Sequence, residues 1–254
     1  MSKAKIFTTL NQFVDKTFVL TIERASERHD LIKAELNGLN FEFVYGIDKQ
    51  NLDLKNLITD GIYGDMRAKR NHRYHKSLTL GEIACSMGHK MIYEKMLEQN
   101  FDKVLILEDD VFVNEVNFDE GIENLPNDWD VIYLDYFKNE TKPWWAFFKQ
   151  KWYHVQRFFG LLNYSHKTIK NLYAKKINDN ISTAGFHDYA SAYIISKKAA
   201  QVLIELQTPI QFPADHVLPY AITNKLLKGF ILHPKLFSQK SQTNKVSFGS
   251  FVED

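Results

Sequence analysis

The chain lacks the features that would place it outside a reducing compartment. It has one cysteine, Cys85, among 254 residues, so it cannot form an internal disulfide. No apolar run near the N-terminus is typical of a secretion signal, and no stretch has the length of apolar residues needed to cross a bilayer. We therefore expect a cytoplasmic protein, either free or lying peripherally against the inner face of the cytoplasmic membrane.

Two further absences narrow the range of functions. The 32 Lys and Arg nearly balance the 31 Asp and Glu, a formal net charge of +1, so the whole chain has no bias toward nucleic acid. Neither a Gly-rich P-loop nor a Gly-x-Gly-x-x-Gly motif is found, which counts against kinases and dinucleotide enzymes. With 44% hydrophobic residues, the length suits one domain over 1–254, and we expect a helical insertion at about 138–180.

Short apolar runs alternate with helical patterns, which predicts an α/β fold. Residues 17–22 and 41–45 have the character of strands, and a helical pattern follows Ser26 between them, a βαβ arrangement typical of a parallel sheet. A capping box at Thr79-Leu80-Gly81-Glu82 opens a helix that ends near Asn100. The remaining predictions are a polar loop at 48–76, strands at 104–107, 129–134, 192–195 and 230–232, helices at 196–206 and 214–227, and a polar tail from Ser238 that forms a lid or is loosely ordered.

Three adjacent carboxylates stand where a buried strand is predicted to end. Val104-Leu105-Ile106-Leu107 is wholly apolar and is followed by Glu108, Asp109 and Asp110. Ligands of open α/β sheets bind beyond the carboxyl ends of the strands, and crowded carboxylates repel one another unless they share a cation. A divalent cation held by one or two carboxylates keeps positions open for phosphate oxygens. The pattern indicates a site for a metal and a diphosphate; the alternative is a solvated acidic turn.

Three stretches of the sequence resemble glycosyltransferase family 25, which includes bacterial lipooligosaccharide galactosyltransferases. The most specific stretch covers residues 80–111, with Gly-Glu-Ile-x-Cys-x-x-x-His at 81–89 about twenty residues before Glu-Asp-Asp. The other two are residues 18–22 with Arg24 and Arg28, and residues 192–196 followed by Pro213-Ala214-Asp215. Together they extend over most of the chain, roughly from residue 17 to residue 237.

The resemblance implies an α/β, GT-A-like nucleotide-sugar-binding fold with a mainly parallel central sheet. It also implies an inverting transfer of a hexose, commonly galactose, from a UDP-sugar to a bacterial lipooligosaccharide or another surface glycan. The sequence departs from the family pattern at Ala84 and Gly88, where the changes are small. It departs further at 189–192, which reads Tyr-Ala-Ser-Ala near the expected acceptor site.

The same resemblance assigns roles around the acidic motif. Glu108 would hold the donor ribose or nucleotide, Asp109 would touch the donor sugar, and Asp110 would bind Mn²⁺ or Mg²⁺. His233 resembles the later metal ligand of many such enzymes, although a lone His beside Pro is more often structural. The other expected donor-binding residues lie at the end of the first strand and just after it; they are Thr21, Arg24 and Arg28. The two arginines would meet the base or the diphosphate. The alternative is that they lie on a solvated helix face.

An inverting transfer needs a carboxylate that accepts the proton of the attacking hydroxyl. Asp215 matches a recurring Asp of the family, and Asp188 lies near a predicted strand end; of the two, Asp215 is preferred. Its alternative role is that of a helix N-terminal carboxylate favoured by the helix dipole. Glu82 is already explained by the capping box and His89 by burial, so neither is included in the chemistry.

Residues 142–176 combine basic and aromatic side chains and contain no acidic residue. Apolar residues recur there at spacings of three and four, which predicts one continuous apolar face; they are Trp144, Phe148, Trp152, Val155, Phe159 and Leu162. A basic, Trp-rich amphipathic helix is typical of a segment that lies in the headgroup layer of an anionic membrane. Ordinary packing on the core and an acceptor-binding wall remain alternatives, and nucleic acid is disfavoured because no recognisable module accompanies the charge.

Two rival functions remain open from the sequence. One is a catalytically inactive, carbohydrate-binding relative, which the changed stretch at 189–192 permits and the intact motif at 108–110 opposes. The other is a metal-dependent phosphate-ester hydrolase, a class that also places carboxylates at strand ends. Such an enzyme more often gathers further Asp or His ligands for a second metal, and the sequence has no obvious cluster of that kind.

Overall fold

The computed structural model describes residues 1–117 and 119–239. The part of the predicted polar tail beyond residue 239 lies outside these residues. The elements are α1 (Lys3–Phe13), β1 (Lys16–Thr21), α2 (Ser26–Glu35), β2 (Phe41–Tyr45), a 3-10 turn (Lys49–Asn51), α3 (Leu54–Thr59), α4 (Asp65–Asn71), α5 (Leu80–Glu98), β3 (Lys103–Glu108), β4 (Val111–Val113), α6 (Asp119–Glu123), β5 (Val131–Tyr133), α7 (Ala146–Phe158), α8 (His166–Lys170), β6 (Lys175–Lys176), β7 (Ile181–Thr183), β8 (Ala192–Ser196), α9 (Lys197–Leu206), α10 (Ala214–Thr223), β9 (Gly229–Leu232) and β10 (Phe237–Gln239).

The described strands form one large sheet and one small one. The large sheet has the order β2-β1-β3-β8-β5-β9-β7-β6, and β10 pairs with β4 in the small sheet. Strand β1 is parallel to both β2 and β3, and β5 is parallel to β9, whereas β8 is antiparallel to both of its neighbours and β7 is antiparallel to both β9 and β6. Strands β1, β2, β3, β5, β6 and β9 therefore run in one direction. The predicted α/β fold with a mainly parallel central sheet is confirmed.

Strand β3 lies inside this sheet and is covered on both faces. Side chains alternate along a strand, so Val104 and Ile106 pack with α5, α9 and α10 on one face. Leu105 and Leu107 pack with α1 and α2 on the other face. All four side chains are fully buried. This double coverage explains why the apolar run has no polar interruption before Glu108.

Two parts of the chain are more helical than the sequence analysis predicted. The expected polar loop at 48–76 contains α3 and α4, so that prediction is wrong; these helices have only six and seven residues, too few for a clear helical period. Helix α1 was not predicted, although Ile6, Phe7 and Leu10 are buried along it. The predicted helix at 214–227 ends earlier, at Thr223.

The segment at 138–180, which we predicted to be a helical insertion, contains α7, α8 and β6. Helix α7 is shorter than the predicted apolar stripe, and the buried side chains on it are Ala146 and Tyr153. The stripe residue Trp144 is 87% exposed, and Phe148, Trp152, Val155 and Phe159 are exposed as well; of the stripe, only Leu162 is buried. The alternative of core packing is therefore wrong for the stripe. None of the described helices combines the length and apolar character that a membrane span requires.

A glycine fixes this segment against the sheet, and its replacement gives a test of the packing. A Cβ on Gly185 would lie 2.5 Å from the carbonyl oxygen of Leu172 and 2.7 Å from the carbonyl carbon of Tyr173, both of which are main-chain atoms that cannot turn away. We expect Gly185→Ala to lower the free energy of unfolding by about 1–3 kcal/mol, measured by urea denaturation.

The matched control is Gly121→Ala, where the nearest atom to a new Cβ is Leu232 Cδ2 at 3.4 Å, an ordinary contact. Because Gly121 is helical, Ala there is expected to be neutral or to stabilise by up to about 1 kcal/mol. Equal stability of the Gly185→Ala and wild-type proteins would contradict the close approach.

Candidate active site

Three strand ends meet at the carboxyl edge of the sheet. Leu20 of β1 is in register with Glu108 of β3, and the next residue of β1 is Thr21. Strand β8 runs the opposite way between β3 and β5, and its entry is fixed by a hydrogen bond from the Glu108 amide to the Ser191 carbonyl of 2.8 Å. Beyond β5, Asp135 is buried at the same edge. The fold therefore gathers carboxylates from two strands that are far apart in sequence.

Asp109 is held by the protein itself. Its Oδ2 accepts a hydrogen bond of 2.6 Å from the Thr21 hydroxyl, and its Oδ1 accepts one of 2.9 Å from Arg28 Nη1. Arg28 and Asp109 are both buried, so this is a charge-assisted contact shielded from water. The structure brings Thr21, Arg28 and Asp109 together, and it uses both Asp109 oxygens for protein contacts. Donor contacts from these three residues stay predictions.

Asp110 differs from its neighbour because its charge is not compensated. Its Oδ1 is buried and has no hydrogen-bond partner. Burial, together with the nearby Glu108 and Asp109 carboxylates, raises the pKa of Asp110 from 3.8 to about 7, against the opposing influence of Arg28. An orphaned, buried carboxylate oxygen among other carboxylates is a suitable ligand for a divalent cation.

Glu108, the first residue of the acidic motif, lies next to helix α5. Its Oε2 accepts a hydrogen bond of 2.9 Å from Gln239 Nε2, and its Oε1 lies 3.4 Å from His89 Nε2. Ligand atoms of Cys85, His89 and Glu108 all lie within 4.8 Å of one another, a second grouping that could hold a cation. Burial raises the pKa of the Cys85 thiol well above its usual value, and a thiol must lose its proton to bind a metal. Glu108 and Asp110 are therefore better suited to hold a divalent cation than the group that includes Cys85.

Asp135 is a candidate that the sequence analysis missed. It is 3% exposed, accepts a hydrogen bond of 2.6 Å from the Ser191 hydroxyl, and has a pKa raised by burial to about 6. The signal was present, because Asp135 follows a predicted strand just as Glu108 does. The same rule about strand ends, applied to β5, would have found it.

The two candidate bases, Asp215 and Asp188, line two neighbouring pockets. Asp215 begins α10 and lines a pocket of about 190 Å³ that also contains Glu108 and Cys85. Burial, with help from Asp188 and Glu108, raises the pKa of Asp215, while His216 opposes the rise. Asp188 lines a neighbouring pocket and is paired with Lys138.

Two predicted site residues are engaged elsewhere. Arg24 pairs with Asp48 in the connection that follows β2. His233 has partners on both ring nitrogens, since Nδ1 lies 2.8 Å from the Tyr136 hydroxyl and Nε2 lies 3.0 Å from the Ser182 hydroxyl. Metal binding by His233 would therefore require the loss of one of these hydrogen bonds. The metal role of His233 and the donor role of Arg24 stay predictions.

Comparison with known proteins identifies the family. The model of glycosyltransferase family 25 (LPS biosynthesis protein) matches residues 14–218, which is most of the chain and includes the acidic motif. The chain belongs to glycosyltransferase family 25. The resemblance read from the sequence is thus confirmed.

Relatives within family 25 differ in length and in named activity. A glycosyltransferase 25 family member from Aedes aegypti is 25% identical over 87% of this chain, and the match covers 33% of that protein. The lipooligosaccharide biosynthesis protein lic2B from Haemophilus influenzae is 29% identical over 93% of this chain and 75% of its own length. The inactive glycosyltransferase 25 family member 3 from Homo sapiens is 30% identical over 47% of this chain and 21% of its own length. The chain thus spans about a third or less of the insect and human relatives.

A solved structure of the galactosyltransferase LgtC in complex with donor and acceptor sugar analogs overlaps 84% of this chain and 70% of its own. The sequence identity is 11% and the TM-score is 0.32, a likeness too weak to support an inference.

The raised pKa of Asp110 gives this family 25 chain a testable dependence of stability on pH. The folded protein keeps a proton on Asp110 up to about pH 7, whereas the ordinary value is 3.8, so this group makes stability fall as the pH rises between those values. Without metal, Asp110→Asn is expected to exceed the wild type in unfolding free energy at pH 8 by roughly 1–3 kcal/mol, and by less at pH 5.

Urea unfolding in a chelator at both pH values measures this difference. Asp60→Asn, at an exposed carboxylate, is the control and should leave the pH dependence of the wild type unchanged. The same pH dependence in wild type and Asp110→Asn would show that Asp110 is not the titrating group.

Proposed function

We propose that this protein is an inverting glycosyltransferase that moves a hexose, galactose in the first instance, from a UDP-sugar to a lipooligosaccharide or another bacterial surface glycan. The observation that carries the proposal is the buried, unpartnered oxygen of Asp110 beside Glu108, inside a family 25 chain. A free carboxylate at this edge of the sheet is costly without a positive ligand. A divalent cation bound with a nucleotide diphosphate supplies that charge.

The side chains fit such a cation. Asp110 and Glu108 would hold Mn²⁺ or Mg²⁺, and the predicted ligand His233 would join them only after release from Tyr136 or Ser182. When bound, the cation supplies charge neutralisation for the diphosphate leaving group. Arg28 holds Asp109 in place through an ion pair, so the loop that carries Asp110 is fixed before the donor binds.

Asp215 is the better candidate for the base. Its raised pKa makes it a stronger proton acceptor than an ordinary carboxylate, and it lines the same pocket as Glu108. Asp188, by contrast, has its Oδ2 engaged in an ion pair with Lys138. We therefore assign removal of the acceptor proton to Asp215 and the orientation of Lys138 to Asp188.

Measurements of donor binding and of sugar transfer distinguish the role of Asp110 as a cation ligand from that of Asp215 as a base. Calorimetry with UDP-galactose is expected to show tighter binding with Mn²⁺ than without it, and Asp110→Asn should remove that difference because one of the two ligands is lost. Asp215→Asn should bind the donor normally while its transfer rate falls by about 10²–10⁴-fold, the usual contribution of a general base. A panel of other UDP-sugars identifies the preferred hexose.

Cys85→Ser is the control for the second cation grouping and is expected to keep the Mn²⁺ effect. If Cys85→Ser abolished it while Asp110→Asn did not, the cation would belong to the Cys85, His89 and Glu108 group instead. Donor binding without transfer to any acceptor would favour the inactive, carbohydrate-binding relative. Release of sugar or phosphate at a rate independent of acceptor would favour a hydrolase.

We further propose that the outer face of α7 contacts an anionic membrane. Trp144 and Phe158 are more than 80% exposed, and Phe147, Phe148 and Trp152 are exposed beside them. The Lys and Arg of residues 142–176 are the charged side chains of this segment, which contains no acidic side chain. Exposed aromatics within a basic segment match a lipid surface in both respects: the rings enter the headgroup layer, and the cations pair with anionic lipids.

Vesicle sedimentation tests this contact. The wild type is expected to bind vesicles of phosphatidylglycerol and phosphatidylethanolamine, and the triple variant Trp144→Ser, Phe148→Ser, Trp152→Ser should bind at least about tenfold more weakly, since each ring contributes apolar burial. Met66→Ser, at a residue that is 81% exposed elsewhere, should bind like the wild type. Equal binding by the wild type and the triple variant, or equal binding to neutral vesicles, would count against the proposal.

A further inference from the structure

A second pocket adjoins the acidic one and has the opposite charge. Its volume is about 220 Å³, smaller than the roughly 300–1,000 Å³ of sites for drug-sized ligands. The pocket is lined by the connection after α4, by α7 and by the start of α10, and it contains Arg73, Lys138, Lys149 and Asp188. This volume suits one sugar residue.

The two pockets share a wall at the candidate base. Asp188 lines the second pocket and precedes Tyr189 of the first, and His216 of the second follows Asp215 of the first. The charges of Asp188 and His216 both act on Asp215. A sugar held in the second pocket would therefore lie beside the group that we propose as the base.

The charge of this pocket is positive. Lys138 is paired with Asp188, the one carboxylate in its lining, which leaves Arg73 and Lys149 without a negative partner among its lining groups. Lys149 lies over the rings of Tyr153 and Tyr173, at 5.6 Å from each ring centre. Two uncompensated cations in a small recess favour an anion.

Arg73 is held in a way that leaves it free to bind an anion. Its guanidinium lies 4.9–5.2 Å from the ring centres of Tyr74, Tyr153 and Tyr164, and Nη2 donates a hydrogen bond of 2.7 Å to the Tyr153 hydroxyl. In the described residues no carboxylate pairs with Arg73, and its Nε is buried without a partner. The group is thus fixed by aromatic rings rather than by an ion pair, which leaves Nη1 to donate to a phosphate or carboxylate.

We propose that this pocket is an acceptor subsite that recognises an anionic sugar residue, with Arg73 and Lys149 binding its phosphate or carboxylate. The role of the pocket as an acceptor site rests on the proposed function, whereas its preference for an anion rests on the lining of the pocket alone. The aromatic rings around Arg73 provide the apolar surface that a sugar face requires. The anionic group would anchor the acceptor while a neighbouring hydroxyl is presented to Asp215.

Helix α7 offers a charge-matched pair of variants for the test. Lys149 lines the pocket, whereas Lys151, two residues further along the same helix, lies over the ring of Phe147 at 4.3 Å on the outer face. Binding of glucose 6-phosphate, glucuronate and glucose to the full chain is measured by NMR titration, with UDP and diamagnetic Mg²⁺ present. The first two ligands distinguish a phosphate from a carboxylate, and glucose serves as the neutral reference.

We expect at least one anionic sugar to bind at least tenfold more tightly than glucose. Arg73→Met and Lys149→Met should each lose most of that preference, and Lys151→Met should keep it. Should Arg73→Met fail to fold, the comparison of Lys149→Met with Lys151→Met decides alone. Equal affinities for all three sugars, no binding of either anion at about 100 mM, or equal effects of the two lysine variants would overturn the subsite.

Failure of the subsite is distinguishable from failure of the proposed function. The same preparations are titrated with UDP-galactose and Mn²⁺, a readout that depends on Asp110 and not on Arg73. Normal donor binding without preference for an anionic sugar overturns the subsite alone. A preference for the anionic sugar without donor binding overturns the transferase proposal and leaves an anionic-sugar site.

Discussion

The site depends on how three adjacent negative charges are accommodated at the end of a fully buried strand. Strand β3 has apolar neighbours on both faces, so these provide no polar partner for the charged residues at its end. Asp109 is paired with Arg28 and accepts a hydrogen bond from Thr21, which fixes the turn. Asp110 Oδ1 is left without a hydrogen-bond partner. The protein therefore compensates the charge of Asp109 permanently and leaves that of Asp110 to a ligand, an arrangement that couples cation binding to the stability of the turn.

Gln239 shows how the uncompensated edge is covered. Strand β10 returns along β4 with Gln239 opposite Val111, and this pairing brings the Gln239 amide to Glu108. A hydrogen bond to a charged group contributes only about 1.5–3 kcal/mol. A divalent cation shared by two carboxylates offsets more repulsion than one amide does, so the contact can yield to a metal without disturbing the sheet.

The sequence revealed those parts of the fold and site that are local along the chain. The apolar run of β3, the capping box of α5 and the motif at 108–110 each lie within one short window, and the strands near them were predicted within a residue or two. Asp135 could have been predicted by applying to β5 the same rule that was applied to β3, namely that ligands bind beyond the carboxyl ends of strands. The pocket around Arg73 could not be predicted, because its walls come from residues far apart in the sequence, such as Arg73 and Tyr153, which are 80 positions apart.

The two faces of α7 link the positive pocket to the proposed membrane surface. Lys149 and Tyr153 lie on the pocket side, while Trp152 and Phe148 are exposed on the other; with 3.6 residues per turn, neighbouring positions face different directions. A helix seated in the headgroup layer would hold the pocket close to the lipid surface. A glycolipid acceptor would then reach it without leaving the bilayer, and the tyrosines around Arg73 would position its sugar. Because one helix forms both surfaces, a change in its tilt alters both contacts together.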